Sequence, residues 1–378
     1  MIKDFQRKLD GQASMTSTPL SHRLHIDLPL FGLLLALLSL GLLVLYSASN
    51  QSLAMIRSQG IRIVAGLLVM IVVAQLNPRI IRQWAPVVYA ISLSMLVAVL
   101  LVGVEGKGAQ RWLDVGVARV QPSELMKLAM PCMIAWWMHK RRLPPDLKSV
   151  AFSLVLLALP AVLILKQPDL GTTILVFAAG FFVLLFAGLR IRWLIYSAIV
   201  AIPAVVAFWF FVMRDYQKQR VYTFLDPERD PLGAGYHIIQ SKIAIGSGGV
   251  FGKGWTQGTQ SQLEFLPERH TDFIFSVFSE ELGLAGIVIL LTLYFLIIAR
   301  GLFIAMQGPD SFSRLLGGSI VCTFFVYVFV NIGMVSGLLP VVGVPLPLVS
   351  YGGTSMVTLL LSFGMLMSIG THPRRISG

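Results

Sequence analysis

Apolar residues in this sequence fall into long unbroken runs, each able to cross about 30 Å of hydrocarbon as a helix. Ten runs lie at residues 28–46, 61–76, 85–104, 122–138, 150–165, 172–189, 193–213, 273–298, 315–335 and 346–369. Short polar breaks separate most of them, so the pattern predicts an all-α, polytopic integral membrane protein with ten transmembrane helices. The first run follows Lys3, Arg7, Lys8 and Arg23 and precedes Ser47-Ala48-Ser49, an arrangement it shares with cleaved signal peptides. Its apolar core is too long for such a peptide and nine further runs follow, so it is read as a retained helix.

One connection departs from the short-loop pattern. Residues 214–272, between the seventh and eighth spans, hold most of the non-membrane polarity, and function is sought in such a loop. The chain thus divides into an N-terminal segment 1–27, a membrane domain 28–370 that includes this loop, and a tail 371–378. The loop opens with Arg214, Lys218 and Arg220, passes through Asp226-Pro227-Glu228-Arg229-Asp230-Pro231 and closes at Pro267-Glu268-Arg269-His270-Thr271-Asp272. Tyr236, Ile239 and Ile243 recur at helical spacing and suit a helix lying on the membrane surface, although Ile238 and Ile245 weaken its one-sidedness. The glycine-rich run 246–254 lacks the phosphate-loop spacing, because Ser247 and Gly254 stand where glycine and a hydroxyl residue are needed. Flexible glycines near a turn or a substrate are expected there instead. His237 and His270 have no metal-site spacing, so capping or surface roles are expected of them.

Only 13% of the residues are charged against 56% hydrophobic, too little charge to cover a soluble surface. The cations also set an orientation. The N-terminal cluster, Arg79 with Arg82, Lys140 to Lys148, Arg190 with Arg192, Arg300 with Arg314, and Arg374 with Arg375 share one side, which the positive-inside rule makes cytoplasmic. With an even number of spans both termini lie on that side and the long loop lies outside. The net charge of +12 therefore reflects topology and attraction to anionic lipid rather than nucleic-acid binding. Cys132 and Cys322 fall inside spans and serve as small apolar residues.

Ionisable residues near the outer ends of spans are the candidates for chemistry, because each is costly in hydrocarbon. Glu124 and Lys127 sit at i and i+3 early in the fourth span, where they can form a structural pair or part of a site. Asp272 stands at the exterior start of the eighth span, as a helix cap or as a base. Glu280 and Glu281 lie about 12 Å deeper if that helix is continuous. Trp112, beside Arg111, suits an interfacial anchor. Bond formation outside the cell has no nucleotide triphosphate and needs a substrate activated elsewhere, such as a lipid-linked pyrophosphate sugar. Lys127, Arg111, Arg220 or Arg269 would face the pyrophosphate, and Asp272 would take a proton from an acceptor hydroxyl.

At these residues the sequence resembles the SEDS (shape, elongation, division and sporulation) family over essentially all ten spans. The likeness is densest at Gly108-Ala109-Gln110-Arg111-Trp112-Leu113, Gln121-Pro122-Ser123-Glu124 and Gln167-Pro168-Asp169-Leu170-Gly171-Thr172, and over residues 226–249, 258–283 and 340–353. Pro267-Glu268-Arg269-His270 and Pro340-Val341-Val342-Gly343-Val344-Pro345 resemble its rod-elongation branch more than its division branch. The resemblance implies a SEDS-type fold and an inverting peptidoglycan glycosyltransferase of the bacterial inner membrane that polymerises lipid II at the periplasmic face, releasing undecaprenyl pyrophosphate. It implies a class B penicillin-binding protein transpeptidase as partner, with other elongation-complex membrane proteins, and leaves room for a divalent cation, Mg or Mn. Asp272 matches the family's essential aspartate, and Trp112, Glu124 and Lys127 match functionally important positions. Two alternatives are a lipid II flippase, which needs a polar path to the inner leaflet, and a non-catalytic scaffold, which needs no polar site.

Overall fold

The computed structural model describes residues 25–106, 109–114, 116, 119–190, 192, 193, 196, 199, 203, 206–213, 215–226, 235–262 and 268–372. Polar caps start the first helices where the apolar runs begin. Helix α1 (Leu28–Ala48) starts at Asp27, whose carboxylate accepts from the Leu30 amide at 3.0 Å. Ser52 and Asn77 cap α2 (Leu53–Ala74) and α3 (Pro78–Val102) in the same way. A small antiparallel sheet follows, with β1 (Val104–Gly106), β2 (Ala109–Asp114) and β3 (Arg119–Val120) in that order. It is an addition to the expected all-helical pattern: Val104 and Trp112 oppose each other across the first pair, and such β-branched and aromatic residues pack well on a pleat.

The chain continues through α4 (Pro122–His139), α5 (Leu147–Lys166) and α6 (Leu170–Phe186), the last capped by Asp169. Helix α7 (Asp215–Leu225) and helix α8 (Tyr236–Ser247) belong to the long loop, and α9 (Ile274–Met306), α10 (Ser311–Val335) and α11 (Thr354–Thr371) complete the bundle. Seven of these, α1, α2, α3, α5, α9, α10 and α11, are long and apolar enough to cross a membrane, and the apolar α6 is slightly shorter. Of the seventh expected span, 193–213, residues 193, 196, 199, 203 and 206–213 are described, with a short π-helical stretch at Phe208–Val212; segment 1–24 and the tail beyond 372 lie outside the described residues.

One expectation changes. The run beginning at residue 346 is not helical until Thr354; residues 340–353 are irregular backbone inside the bundle. Helix α8 forms, and it packs on α9 and α10 through Ile238, Ser241 and Ala244, which leaves Tyr236, Ile239 and Ile243 on its outward side. The Ser241 hydroxyl donates to the Val335 carbonyl at 2.5 Å and meets Ser276 at 2.8 Å, which fixes that face inward.

Outward faces are apolar: Val64, Leu68, Ile91 and Phe295 are among many exposed large side chains, as a lipid solvent requires. Inward faces approach closely through small residues. A Cβ on Gly364 of α11 would stand 2.5 Å from the Met70 carbonyl oxygen of α2. At the bundle end opposite the hairpin, Arg300 grips Asp27 through two hydrogen bonds of 3.0 and 2.6 Å, and Arg82 meets Asp310 at 2.9 Å.

The α2–α11 contact is testable. Gly364→Leu forces the two helices apart and lowers the thermal unfolding midpoint of detergent-solubilised protein, whereas Gly32→Leu, with nothing within 4 Å of its Cβ, leaves it unchanged. Equal midpoints for the two variants would show that the contact carries no stability.

Candidate active site

The irregular segment 340–353 builds the cradle in which Asp272 sits. Its backbone cannot use helical hydrogen bonds, so side chains and neighbouring strands of chain take them. The Ser350 hydroxyl donates to the Thr271 carbonyl at 2.6 Å and accepts from the Leu346 amide at 2.8 Å. The Tyr351 amide donates to the His270 carbonyl at 2.9 Å. Asn331 of α10 spans the junction: its amide group donates to the Asp272 carbonyl at 2.9 Å and to the Val344 carbonyl at 2.7 Å. Residues 270–272 are therefore fixed on both flanks before α9 begins. Gly343 lies opposite with φ +73°, and a Cβ there would come within 3.5 Å of an Asp272 carboxylate oxygen. Glycine at this position satisfies the left-handed backbone and leaves room beside the carboxylate.

Around this cradle two rings fix the neighbourhood. Arg62 lies over the Tyr351 ring, 4.6 Å from its centroid. His237 stacks on Phe273 at 5.8 Å, and burial holds its imidazole below the usual range.

Glu124 and Lys127 form a buried pair at 2.6 Å, both under a tenth exposed. Each has a further partner from the opposite side of the bundle: Lys127 donates to the Tyr327 hydroxyl, and Thr358 donates to Glu124 at 3.0 Å. Tyr327 and Asn331 stand four residues apart on α10, so one helix face carries both the Lys127 contact and the tie to Asp272, about 6 Å apart along the axis. Lys127, Tyr327, Thr358 and Ser362 line one cavity, and Tyr327, Pro345, Ser350 and Ser355 line a second that shares Tyr327 and Leu359 with it. This brings Glu124 and Lys127 into the neighbourhood of Asp272 through residues that spacing along the sequence does not reveal.

The remaining candidates divide. Arg111 on β2 spends its guanidinium internally, donating to the Gln167 carbonyl at 3.2 Å and to the Pro168 carbonyl, with Asp169 at 3.7 Å. It pins the hairpin to the start of α6 with two of its five N–H donors. Trp112 is half-buried on the same strand. Arg269 is half-buried three residues before Asp272. Arg220 belongs to α7, and its side chain lies outside the described residues. Among the described residues no group of three or more His, Cys, Asp or Glu side chains is placed to hold a metal ion.

Comparison with known proteins fits this geometry. The family model described as cell cycle protein, covering FtsW, RodA and SpoVE, matches residues 28–375. The peptidoglycan glycosyltransferase MrdB of Escherichia coli K12 is 56% identical over 356 residues, covering 94% of this chain and 96% of the relative. A probable peptidoglycan glycosyltransferase FtsW of Trichlorobacter lovleyi is 38% identical, covering 91% and 92%. Among solved structures, a chain from a peptidoglycan synthase complex that coordinates polymerization and crosslinking superposes with TM-score 0.79 at 35% identity, covering 91% of this chain and 97% of that one. The rod shape determining protein RodA of Thermus thermophilus superposes with TM-score 0.69 at 30% identity, covering 91% and 96%.

The buried pair invites a charge swap. Glu124→Lys and Lys127→Glu singly each leave an unpaired buried charge and cost about 3–5 kcal/mol of stability. The double swap is expected to regain the folded yield in detergent without regaining activity. A double swap that restores both would reduce the pair to a structural tie.

Proposed function

The chain belongs to the FtsW, RodA and SpoVE family of cell cycle proteins, and from that premise we propose that it polymerises lipid II with Asp272 as the general base. It is a peptidoglycan glycosyltransferase embedded in the membrane by its apolar helices. The observation that carries the base assignment is the cradle: Asn331 and Ser350 hold the backbone of residues 271–272 while Gly343 keeps side-chain atoms away from the carboxylate. Such pre-organisation is what a base needs, because proton transfer requires the acceptor within hydrogen-bond reach of the reacting hydroxyl.

In the reaction, the Asp272 carboxylate takes the proton of the 4-hydroxyl of the acceptor GlcNAc as its oxygen attacks C1 of the donor MurNAc. The C1–O bond to undecaprenyl pyrophosphate breaks, and the new glycosidic bond forms with inversion. Arg269, three residues from the base, and Lys127, on the wall of the adjoining cavity, would balance pyrophosphate charge. Arg220 remains a candidate from the loop. Arg111 acts at one remove, by holding the hairpin that carries Trp112. Glu124 holds Lys127 in orientation through their 2.6 Å contact.

Membrane domain 28–370 is the catalytic unit, with segments 1–27 and 371–378 cytoplasmic and Asp272 on the periplasmic face of the bacterial inner membrane. Its partner is a class B penicillin-binding protein transpeptidase, within an assembly of elongation membrane proteins. The structural relative from a complex coordinating polymerization and crosslinking supports that pairing.

Two measurements test this reading. Asp272→Ala, purified in detergent and supplied with lipid II, loses about 10²- to 10⁴-fold in glycan synthesis while its unfolding midpoint holds; near-normal synthesis would return the residue to a capping role. The chain alone is expected to polymerise slowly and to accelerate when bound to its transpeptidase, even one with an inactive active site. Equal rates under identical conditions would mean that the partner exerts no control over the polymerase.

A further inference from the structure

The glycine-rich run 246–254 does not behave as a flexible loop. Helix α9 is opened at Gly283, which adopts φ 63° and ψ −160° between two helical stretches. In a continuous helix the Leu284 and Ala285 amides would donate to the Glu280 and Glu281 carbonyls. Here they donate to the Gly249 and Val250 carbonyls at 2.9 and 3.0 Å. The Glu280 and Glu281 carbonyls accept instead from the Lys253 and Gly254 amides, each at 3.0 Å. Two helical hydrogen bonds are thus replaced by four to a segment of loop inserted into the gap.

Side chains close the insertion. Glu280, fully buried, accepts from Lys253 at 2.7 Å, from the Thr259 hydroxyl at 3.1 Å and from the Gln260 amide at 3.0 Å. Glu281, also buried, accepts from Ser47 of α1. Trp255 donates to the Leu43 carbonyl at 3.1 Å, which carries the loop across to α1. Both backbones come too close for any side chain: a Cβ on Gly283 would stand 2.3 Å from the Gly252 nitrogen, and a Cβ on Gly252 would stand 2.0 Å from the Glu281 carbonyl oxygen. The two buried carboxylates expected deep in a continuous helix are therefore there to receive the loop.

The residues ahead of the opening, 274–282, are the ones that Asp272 leads into. Their direction relative to the rest of α9 depends on the backbone angles of Gly283, and those angles depend on the inserted loop. We infer that residues 249–254 act as a wedge that sets the position of Asp272, with Gly283, Glu280 and Lys253 as positioning residues for glycan polymerisation. Withdrawal of the wedge lets the Leu284 and Ala285 amides return to Glu280 and Glu281, which straightens α9 and swings its first turns away from the cradle of residues 340–353. The inference rests on Asp272 as the base.

Gly283→Ala is the direct test, because its Cβ is incompatible both with the left-handed backbone and with the inserted loop. Purified variants are compared with the wild type by glycan synthesis from lipid II and by hydrogen exchange of peptides covering residues 249–258. Gly283→Ala should deprotect the Lys253 and Gly254 amides and lower kcat about 100-fold, with KM for lipid II within about threefold, as a displaced but intact base predicts. Glu280→Gln and Lys253→Met leave the backbone unstrained and should show smaller losses in the same sense, and they decide the matter if Gly283→Ala does not fold. Gly246→Ala, whose Cβ meets nothing within 4 Å, should match the wild type in both readouts. Deprotected amides with an undiminished kcat would overturn the wedge, as would a loss confined to KM. Failure of the base assignment shows separately, as activity retained by Asp272→Ala.

Discussion

A backbone amide or carbonyl that leaves regular helix inside an apolar bundle finds no water, and leaving it unpaired costs several kcal/mol. This chain leaves regular helix inside its bundle at residues 340–353 and at the opening of α9, and both excursions converge on the stretch that ends at Asp272. Segment 340–353 is satisfied by Gln59 of α2, which donates to the Ser350 carbonyl at 3.3 Å, by Tyr294 of α9, which donates to the Pro347 carbonyl at 2.7 Å, and by Asn331 of α10. The opening of α9 is satisfied by the glycine-rich loop. Each partner comes from a different helix, so moving any one of them disturbs the same few residues. The rigidity that a catalytic carboxylate needs follows from the requirement to pair these groups.

The buried charges obey the same constraint with higher stakes. Lys127 has both Glu124 and Tyr327, and Glu280 has a cation, a hydroxyl and an amide. Apolar side chains of similar volume often hold a bundle together as well as a buried ion pair does. Lys127 lines a cavity, where a charged group can be used. Glu280 sits under a loop, where its contacts hold backbone in place.

Much of this was legible in the sequence. The apolar runs anticipate the described helices to within a few residues at most ends, and the i, i+3 spacing of Glu124 and Lys127 correctly places them on one helix face. What escaped was whatever depends on partners distant in sequence. Tyr327 and Thr358 join the pair from 200 and 234 residues away, and Asn331 reads as one more polar residue in an apolar span. Arg111 looked like a free cation because Asp169 and the carbonyls that engage it lie more than 50 residues on. The glycines of 246–254 were read as sources of flexibility, yet Gly252 serves close approach, which composition alone cannot tell from freedom. Glu280-Glu281-Leu282-Gly283 read as continuous helix for the same reason: a glycine at the break is tolerated in a helix and required in this opening.

The energetics of the wedge decide what it can do. The docked state has four backbone hydrogen bonds where the straightened helix would have two, and it adds the Lys253 contact to Glu280. Since a hydrogen bond contributes about 0.5–1.5 kcal/mol net, and one to a charged group about 1.5–3 kcal/mol, the docked arrangement is favoured by a few kcal/mol. Against this stand the ordering of the loop and the strain of opening a helix, both of which favour release. Coupling between two sites is commonly worth about 1–3 kcal/mol, and a ligand shifts a balance only by as much as it binds one state better than the other. A partner that grips the exterior loop in its docked form therefore favours the state with the base in register without touching the substrate.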